Sequence, residues 1–315
     1  MILSVLVPTF NYDCSHLVQM LRQQLPPDSE IIVGDDCSTD RDVLSCIDFI
    51  SELPQCRIFR PSHNLGRAAI RNALAREAKG DWLLFVDADA EVRSPSFVAD
   101  YLAATAHAQV VCGGLGNVSE CPSPACRLRY DYEVSAEKRL TLDYRRRFPY
   151  AQFTTFNFLI SRSLFLSICF DENIREYGHE DTLFGLELKR RGIAIRHIDN
   201  KLTHLGLEDG ETYLSKTETA LRTLAHMDMD MKRHARISAL ALRLSRWHLL
   251  GLVRTLYNIY KAPLRANLLG KHPRQALFAF YKLGYYASIR ENGIPTAKWK
   301  VKSRLKFGCA MGKCL

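Results

Sequence analysis

The stretch that most limits what this chain can become is Trp82-Leu83-Leu84-Phe85-Val86-Asp87-Ala88-Asp89, a short apolar run that ends in two carboxylates. A run of that length, aromatic near each end and preceded by a helix-like segment, predicts a strand buried on both faces in a parallel sheet. In open α/β sheets ligands bind beyond the carboxyl edge, and alternate residues of an extended segment share a face, so Asp87 and Asp89 are expected to look into one crevice. Two acids there ask for a cation. A hard divalent metal and a ribose hydroxyl would suit them, which points to a nucleotide diphosphate. The plainer reading is a strand end followed by an acidic turn.

The flanking sequence repeats the pattern. Ile2 to Val7 predicts a first strand, with Pro8-Thr9-Phe10-Asn11 ending it at the crevice edge. Met1 to Val7 has no basic leader, so it reads as core rather than as a secretion signal. A helix follows with Leu17, Met20, Leu21 and Leu25 inward, closed by Pro26-Pro27. Glu30 to Gly34 is the second strand and delivers Asp35-Asp36-Cys37-Ser38-Thr39-Asp40 to the same edge. Ser38, Thr39 and Asp40 suit helix capping, whereas adjacent acids at Asp35 and Asp36 repel unless something is bound. A short strand around Arg57 to Phe59 leads to Asn64-Leu65-Gly66 and a helix to about Ala78. Arg67 and Arg71 are i,i+4 neighbours there, able to face a base, a phosphate or the acids. Alternation of strand and helix predicts βαβ units and a mostly parallel central sheet flanked by helices.

These residues carry a resemblance. Pro8-Thr9-Phe10-Asn11, Asp35-Asp36 with Ser38-Thr39-Asp40, Asn64-Leu65-Gly66 with Arg71-Asn72, and Asp87-Ala88-Asp89, in this order and spacing, resemble the nucleotide-sugar half of the family 2 inverting glycosyltransferases. The resemblance implies the Rossmann-like GT-A fold, with Asp36 and Arg71 holding uracil, Asp87 the ribose and Asp89 a divalent metal, Mn²⁺ or Mg²⁺. Farther on, Tyr177-Gly178-His179-Glu180-Asp181 opens a helix that Gly192 ends. First-turn acids suit the helix dipole on their own account. Within the resemblance Asp181 is the catalytic base, Glu180 supports it, and His204 is the third metal-binding element. The similarity covers roughly residues 1–208, divided into a nucleotide-sugar half (1–115) and an acceptor half (116–208). It departs at Ile168-Cys169, where small glycines commonly precede the Phe-Asp-Glu stretch.

Between these halves Pro95 to Ala106 reads as a helix and Val110 to Gly114 as a strand. Asn117 to Tyr150 shows no period and is rich in Tyr and Arg, so it reads as a mobile polar loop or as an acceptor groove lined by Tyr130, Tyr132, Tyr144, Tyr150 and Arg145-Arg146-Arg147. Asn157, inside the apolar strand Phe153 to Ser161, is expected to find its partners at the acceptor-site floor.

Residues 209–315 form a helical extension of a different character. From Met231 onward 18 Lys and Arg accompany the single acid Glu291, so the net charge of +9 divides into about −8 before that point and about +17 after it. A basic amphipathic helix is expected over 236–261, with Phe278, Phe280, Tyr281, Tyr285 and Tyr286 as interfacial aromatics. No run reaches the roughly 20 apolar residues of a membrane span. These features suit peripheral binding to the cytoplasmic leaflet through 231–315; packing on the catalytic domain or in a homodimer is the other reading. Ten scattered cysteines without a CxxC pair point to reduced thiols and a cytoplasmic protein.

The resulting expectation is transfer of a sugar from a UDP-sugar to a hydroxyl of a glycan or lipid-linked glycan. No Gly-rich, Lys-bearing phosphate loop follows the first strand, as a nucleotidyltransferase would want. A nucleic-acid-binding protein using the basic tail, and a non-catalytic glycan-binding module on the same fold, are the alternatives; binding to nucleic acid is not expected.

Overall fold

The computed structural model describes residues 2–174 and 177–289. Its first half alternates as the sequence predicts: β1 (Leu3–Thr9), α1 (Ser15–Arg22), β2 (Ser29–Asp35), α2 (Arg41–Ser51), β3 (Cys56–Phe59), α3 (Arg67–Glu77) and β4 (Trp82–Val86). β1 pairs in parallel with β2 and β4, and β2 with β3. Because side chains alternate across a strand, these apolar runs feed two cores at once. Val5, Val7, Ile31, Val33, Leu84 and Val86 face one, while Leu6, Ile32, Leu83 and Phe85 face the other. The first strand does not stop at Pro8. It continues to Thr9 along β2, and its pairing with β4 ends earlier, at Leu6 opposite Phe85.

The second half is β5 (Ala90–Glu91), α4 (Phe97–Ala104), β6 (Val110–Cys112), β7 (Leu115–Asn117), α5 (Arg127–Arg139), α6 (Leu142–Arg147), β8 (Asn157–Ser161), α7 (Arg162–Ile168), α8 (Glu180–Arg190), β9 (Ile195–His197) and β10 (Leu202–His204). The main sheet has the order β3-β2-β1-β4-β8-β6-β9, and β8 runs antiparallel between β4 and β6. A small sheet, β5-β10-β7, brings the end of β10 against Ala90 beside Asp89. This is a mixed, mostly parallel sheet flanked by helices.

Two expectations fail in this half. The stretch 117–150 is largely helical rather than a loop: α5 hides its amphipathicity because its polar residues are satisfied by i,i+4 pairs, Arg127–Asp131 and Arg129–Glu133, while Leu128 is buried. Arg145 is buried too, and donates to the Ile198 carbonyl at 3.0 Å. Asn157 is satisfied inside the protein, its amide donating to the Gly114 carbonyl and its Oδ1 accepting from the Tyr101 hydroxyl at 2.5 Å.

The extension consists of α9 (Gly210–His226), α10 (Met229–His234), α11 (Arg236–Arg246), α12 (Leu250–Leu268) and α13 (Gln275–Ile289). The expected single helix over 236–261 is broken at Trp247–Leu249, where His248 takes a left-handed backbone (φ 57°). Phe278, Tyr281 and Tyr286 are not interfacial: they are buried, the first two against Leu128, Leu214 and Tyr257, the third against Leu224 and Leu186. Gly284 permits that packing, since a Cβ there would lie 2.4 Å from the Tyr257 Cβ. Among the described residues no helix is long and apolar enough to cross a membrane.

Candidate active site

The carboxyl ends of β1, β2 and β4 set the floor of the crevice. Thr9 offers its carbonyl to the Asp36 amide, and Asn11, in a left-handed conformation (φ 50°), accepts from the Thr39 and Asp40 amides while its own amide donates to the Ser38 hydroxyl. Thr9 and Asn11 therefore brace the β2–α2 loop, while Pro8 continues the pairing with β2 opposite Gly34. Asp40 caps α2, accepting from the Asp42 and Val43 amides.

The neighbouring acids Asp35 and Asp36 are reconciled by protein partners rather than by a required ligand. Arg60 donates to Asp35 at 2.5 Å, and the two oxygens of Asp36 accept from the Leu65 and Gly66 amides at 2.6 and 2.9 Å. Asp36 thereby fixes the turn that starts α3, and each oxygen keeps a lone pair for a base N–H.

The chain turns at Ala88–Asp89, so Asp87 and Asp89 take different partners, although the Arg67 charge acts on both. Asp87 pairs with Arg71 and lies 3.8 Å from Arg67; Asp89 turns instead to His204, whose Nε2 is 3.1 Å from its Oδ2. His204 is held from behind by Glu133 of α5, at 2.8 Å from Nδ1. Burial disfavours the imidazolium, yet hydrogen bonds to Asp89 and Glu133 and their charges outweigh it and hold His204 up at about 9. Asp89 stays ionised below the ordinary carboxylate range, burial being overcome by the hydrogen bond from His204.

Across the crevice, Gly178 (φ 107°) and His179 (φ 74°) both adopt left-handed backbone, which turns the chain into α8 and sets Glu180 and Asp181 in its first turn. Arg67 closes the gap. Its Nε donates to Glu180 Oε1 at 2.9 Å, and its guanidinium lies over the Tyr177 ring, 5.4 Å from the centroid. Burial would push the Glu180 carboxyl up, but the Arg67 charge holds it low. Asp181 goes the other way. Burial first, and then the negative charge of Glu180, push it up to about 6 against hydrogen bonds from the Thr182 amide and hydroxyl. Two adjacent acids thus differ in basicity, the pattern expected of a supporting carboxylate beside a proton acceptor.

Asp89 and His204 are the residues suited to a cation. Among the described residues no three His, Cys, Asp or Glu form a metal cage, so the candidate set is this pair. A hard ion such as Mg²⁺ or Mn²⁺ is commonly held by few protein ligands, leaving positions for phosphate oxygens and water. The pair fits that habit once a cation displaces the proton on His204 Nε2, with Glu133 left behind Nδ1; Gly206 is what lets Asp89 sit there, since a Cβ would lie 2.2 Å from its Oδ2. Glu133, Tyr177 and Gly206 were not singled out by the sequence as a site. The only signal for Glu133 was its i,i+4 spacing from Arg129.

Comparison with known proteins gives the family and the fold. The family model "Glycosyl transferase family 2" matches residues 4–168. An uncharacterized glycosyltransferase of Haemophilus influenzae is 39% identical over 89 residues, 28% of this chain and 29% of that protein. Validoxylamine A glucosyltransferase of Streptomyces hygroscopicus subsp. limoneus is 30% identical over 225 residues, 62% of this chain and 49% of that protein. The chain therefore spans half or less of these relatives' length. Among solved structures, the mannosyltransferase PcManGT of Pyrobaculum calidifontis, in complex with GDP-Man and Mn²⁺, aligns with a TM-score of 0.56 at 14% identity, covering 92% of this chain and 86% of that one. The S. aureus TarS fragment 1–349 aligns at 0.51 with 18% identity, covering 93% and 91%. These two share the GT-A fold. The match over residues 4–168, on a sheet whose carboxyl edge gathers the acids described above, means that this chain belongs to glycosyl transferase family 2.

Proposed function

We propose that the chain transfers a sugar from a UDP-sugar to a hydroxyl of a glycan or lipid-linked glycan, with inversion at the anomeric carbon. The observation that carries this reading is Arg67, which touches Asp87 of the nucleotide side and Glu180 of the acceptor side, so that both groups of acids line one crevice. Residues 1–115 would hold the donor, 116–208 the acceptor, and the extension 209–315, of which 290–315 lie outside the described residues, would buttress the acceptor half through 209–289. Asp36 accepts from the base. Arg71, expected to hold the base with Asp36, is instead buried against Asp87 and the Arg67 carbonyl and orients Asp87 toward the ribose, and Pro8, Thr9, Asn11 and Ala88 shape the nucleotide cleft. The TarS fragment has also been solved with UDP-GlcNAc, at a TM-score of 0.50, and PcManGT with GDP-Man, at 0.56, so the uridine assignment rests on the resemblance of the Asp36 region rather than on the fold neighbours.

A divalent cation held by Asp89 and His204 would offset the charge of the departing diphosphate. Asp181 takes the acceptor proton as the hydroxyl oxygen attacks. With a pKa near 6 it is still a weak base for an alcohol, so the proton leaves late, once the bond to carbon is forming. Arg67 balances Glu180, which lets Asp181 be the acid that accepts the proton.

Thermal shift with UDP- and GDP-sugars in the presence of Mn²⁺ tests the donor assignment. A rise in Tm confined to the uridine series is expected, because a ligand that binds only the native state stabilises it. A rise with GDP-sugars alone would replace the base assignment. Asp89→Asn should abolish the Mn²⁺-dependent part of the rise; an unchanged Mn²⁺ and UDP titration would contradict the metal role.

A further inference from the structure

The outer side of the extension carries apolar side chains that the packing leaves in solvent. Trp247 is 65% exposed, Ile259 64%, Leu252 57% and Tyr260 53%, with Leu249 and Leu256 beside them. They follow one another along the α11–α12 junction and the outer face of α12, while Tyr257, Leu264 and Leu268 of the same helix face inward. Arg243, Arg246 and Lys261 are exposed around them, and no acid occurs between Met231 and Ile289. Beside Ile259 lies a cleft of about 510 Å³, bordered by Arg254, Thr255, Asn258 and Ser288.

We infer that this face docks on an anionic lipid surface, with Trp247, Leu252, Leu256 and Ile259 entering the interface and the surrounding cations meeting headgroup phosphates. Charge selects this occupant. A second copy of the chain would bring the same all-basic surround, and residues 290–315 carry seven Lys and Arg against Glu291, so neither complements it. A nucleic acid would satisfy the cations but leave the apolar strip in water. An anionic bilayer satisfies both, and it needs no spanning helix. The inference is independent of the sugar-transfer reading, since it concerns the face and not the crevice.

Flotation of the full chain with vesicles of phosphatidylcholine, alone or mixed with phosphatidylglycerol, tests it. Binding to the mixed vesicles should be at least about tenfold stronger and should weaken with salt. The double substitution Leu252→Glu with Ile259→Glu should reduce binding by about tenfold or more at unchanged Tm. Arg243→Gln with Arg246→Gln should remove most of the preference for anionic vesicles and leave the weak binding to phosphatidylcholine. The inference is overturned if the wild-type chain ignores mixed vesicles. It is equally overturned if the apolar double substitution leaves vesicle binding intact, if the same substitution instead dissolves a dimer seen in sedimentation, or if the chain binds RNA while ignoring lipid.

Discussion

Arg67 Nε lies 2.9 Å from Glu180 Oε1, joining the first residue of α3 to the first residue of α8 across 113 positions of sequence. The pair is asymmetric: the Glu180 side chain is about one-tenth exposed and the Arg67 side chain about half. Removing the guanidinium strands a buried carboxylate, whereas removing both charges leaves nothing unpaired. Arg67→Gln should therefore destabilise the fold by about 1–2 kcal/mol, below the loss typical of a fully buried pair because one partner is solvated. Arg67→Gln with Glu180→Gln should recover part of that loss. Denaturant midpoints of the two single variants and the double variant measure the coupling, and strictly additive effects would show that the contact carries no energy.

The sequence made the sheet edge legible because each acid follows its own strand or opens its own helix: Asp36 after β2, Asp87 after β4, Glu180 and Asp181 at the start of α8. Such residues are placed by local structure, and local structure has a readable period. What joins them was not legible. The antiparallel insertion of β8, the turn at Ala88–Asp89 and the arrival of Glu133 behind the His204 imidazole are tertiary outcomes. The same holds for the aromatics of α13, which look interfacial in one dimension and are buried by helices more than 100 residues away in some cases, as Phe278 is against Leu128.

Burial and the Glu180 charge push the Asp181 carboxyl up to about 6, and only its carboxylate can accept a proton. On the acidic side kcat/KM should therefore fall about tenfold per pH unit below about 6. Asp181→Asn should lose about 10²–10⁴ in kcat while still binding UDP, with the acidic limb gone from whatever rate remains. Initial rates across pH, alongside calorimetric UDP titration, check this. Near-normal turnover in the variant would remove Asp181 from the role.

The same raised pKa has a thermodynamic consequence. A carboxyl that burial and the Glu180 charge push up in the folded chain costs stability once it is charged. That cost fades as pH falls through 6 and is absent below about 4, where both states are protonated. Asp181→Asn should accordingly be more stable than the wild type at neutral pH and equal to it in acid. Melting curves at several pH values read the difference, and a variant less stable at pH 7 would mean that the hydrogen bonds from Thr182 outweigh the burial of charge.

Glu133 stands 2.8 Å from His204 Nδ1 and so selects the ring orientation in which Nε2 faces Asp89. A carboxylate in that position holds a metal-binding imidazole ready, and its loss commonly costs 10–100-fold in metal affinity. Glu133→Ala should weaken Mn²⁺ binding by about that factor in the presence of UDP, read by calorimetry and by the Mn²⁺ paramagnetic resonance signal. Arg129 would still have Glu208, so α5 need not unravel when Glu133 is shortened. Glu133→Gln should restore most of the affinity, because its amide oxygen can still accept from Nδ1, whereas simple loss of negative charge near the site would leave Gln as weak as Ala. If both variants titrate Mn²⁺ like the wild type, Glu133 is a scaffold residue of α5 and His204 is oriented by other contacts.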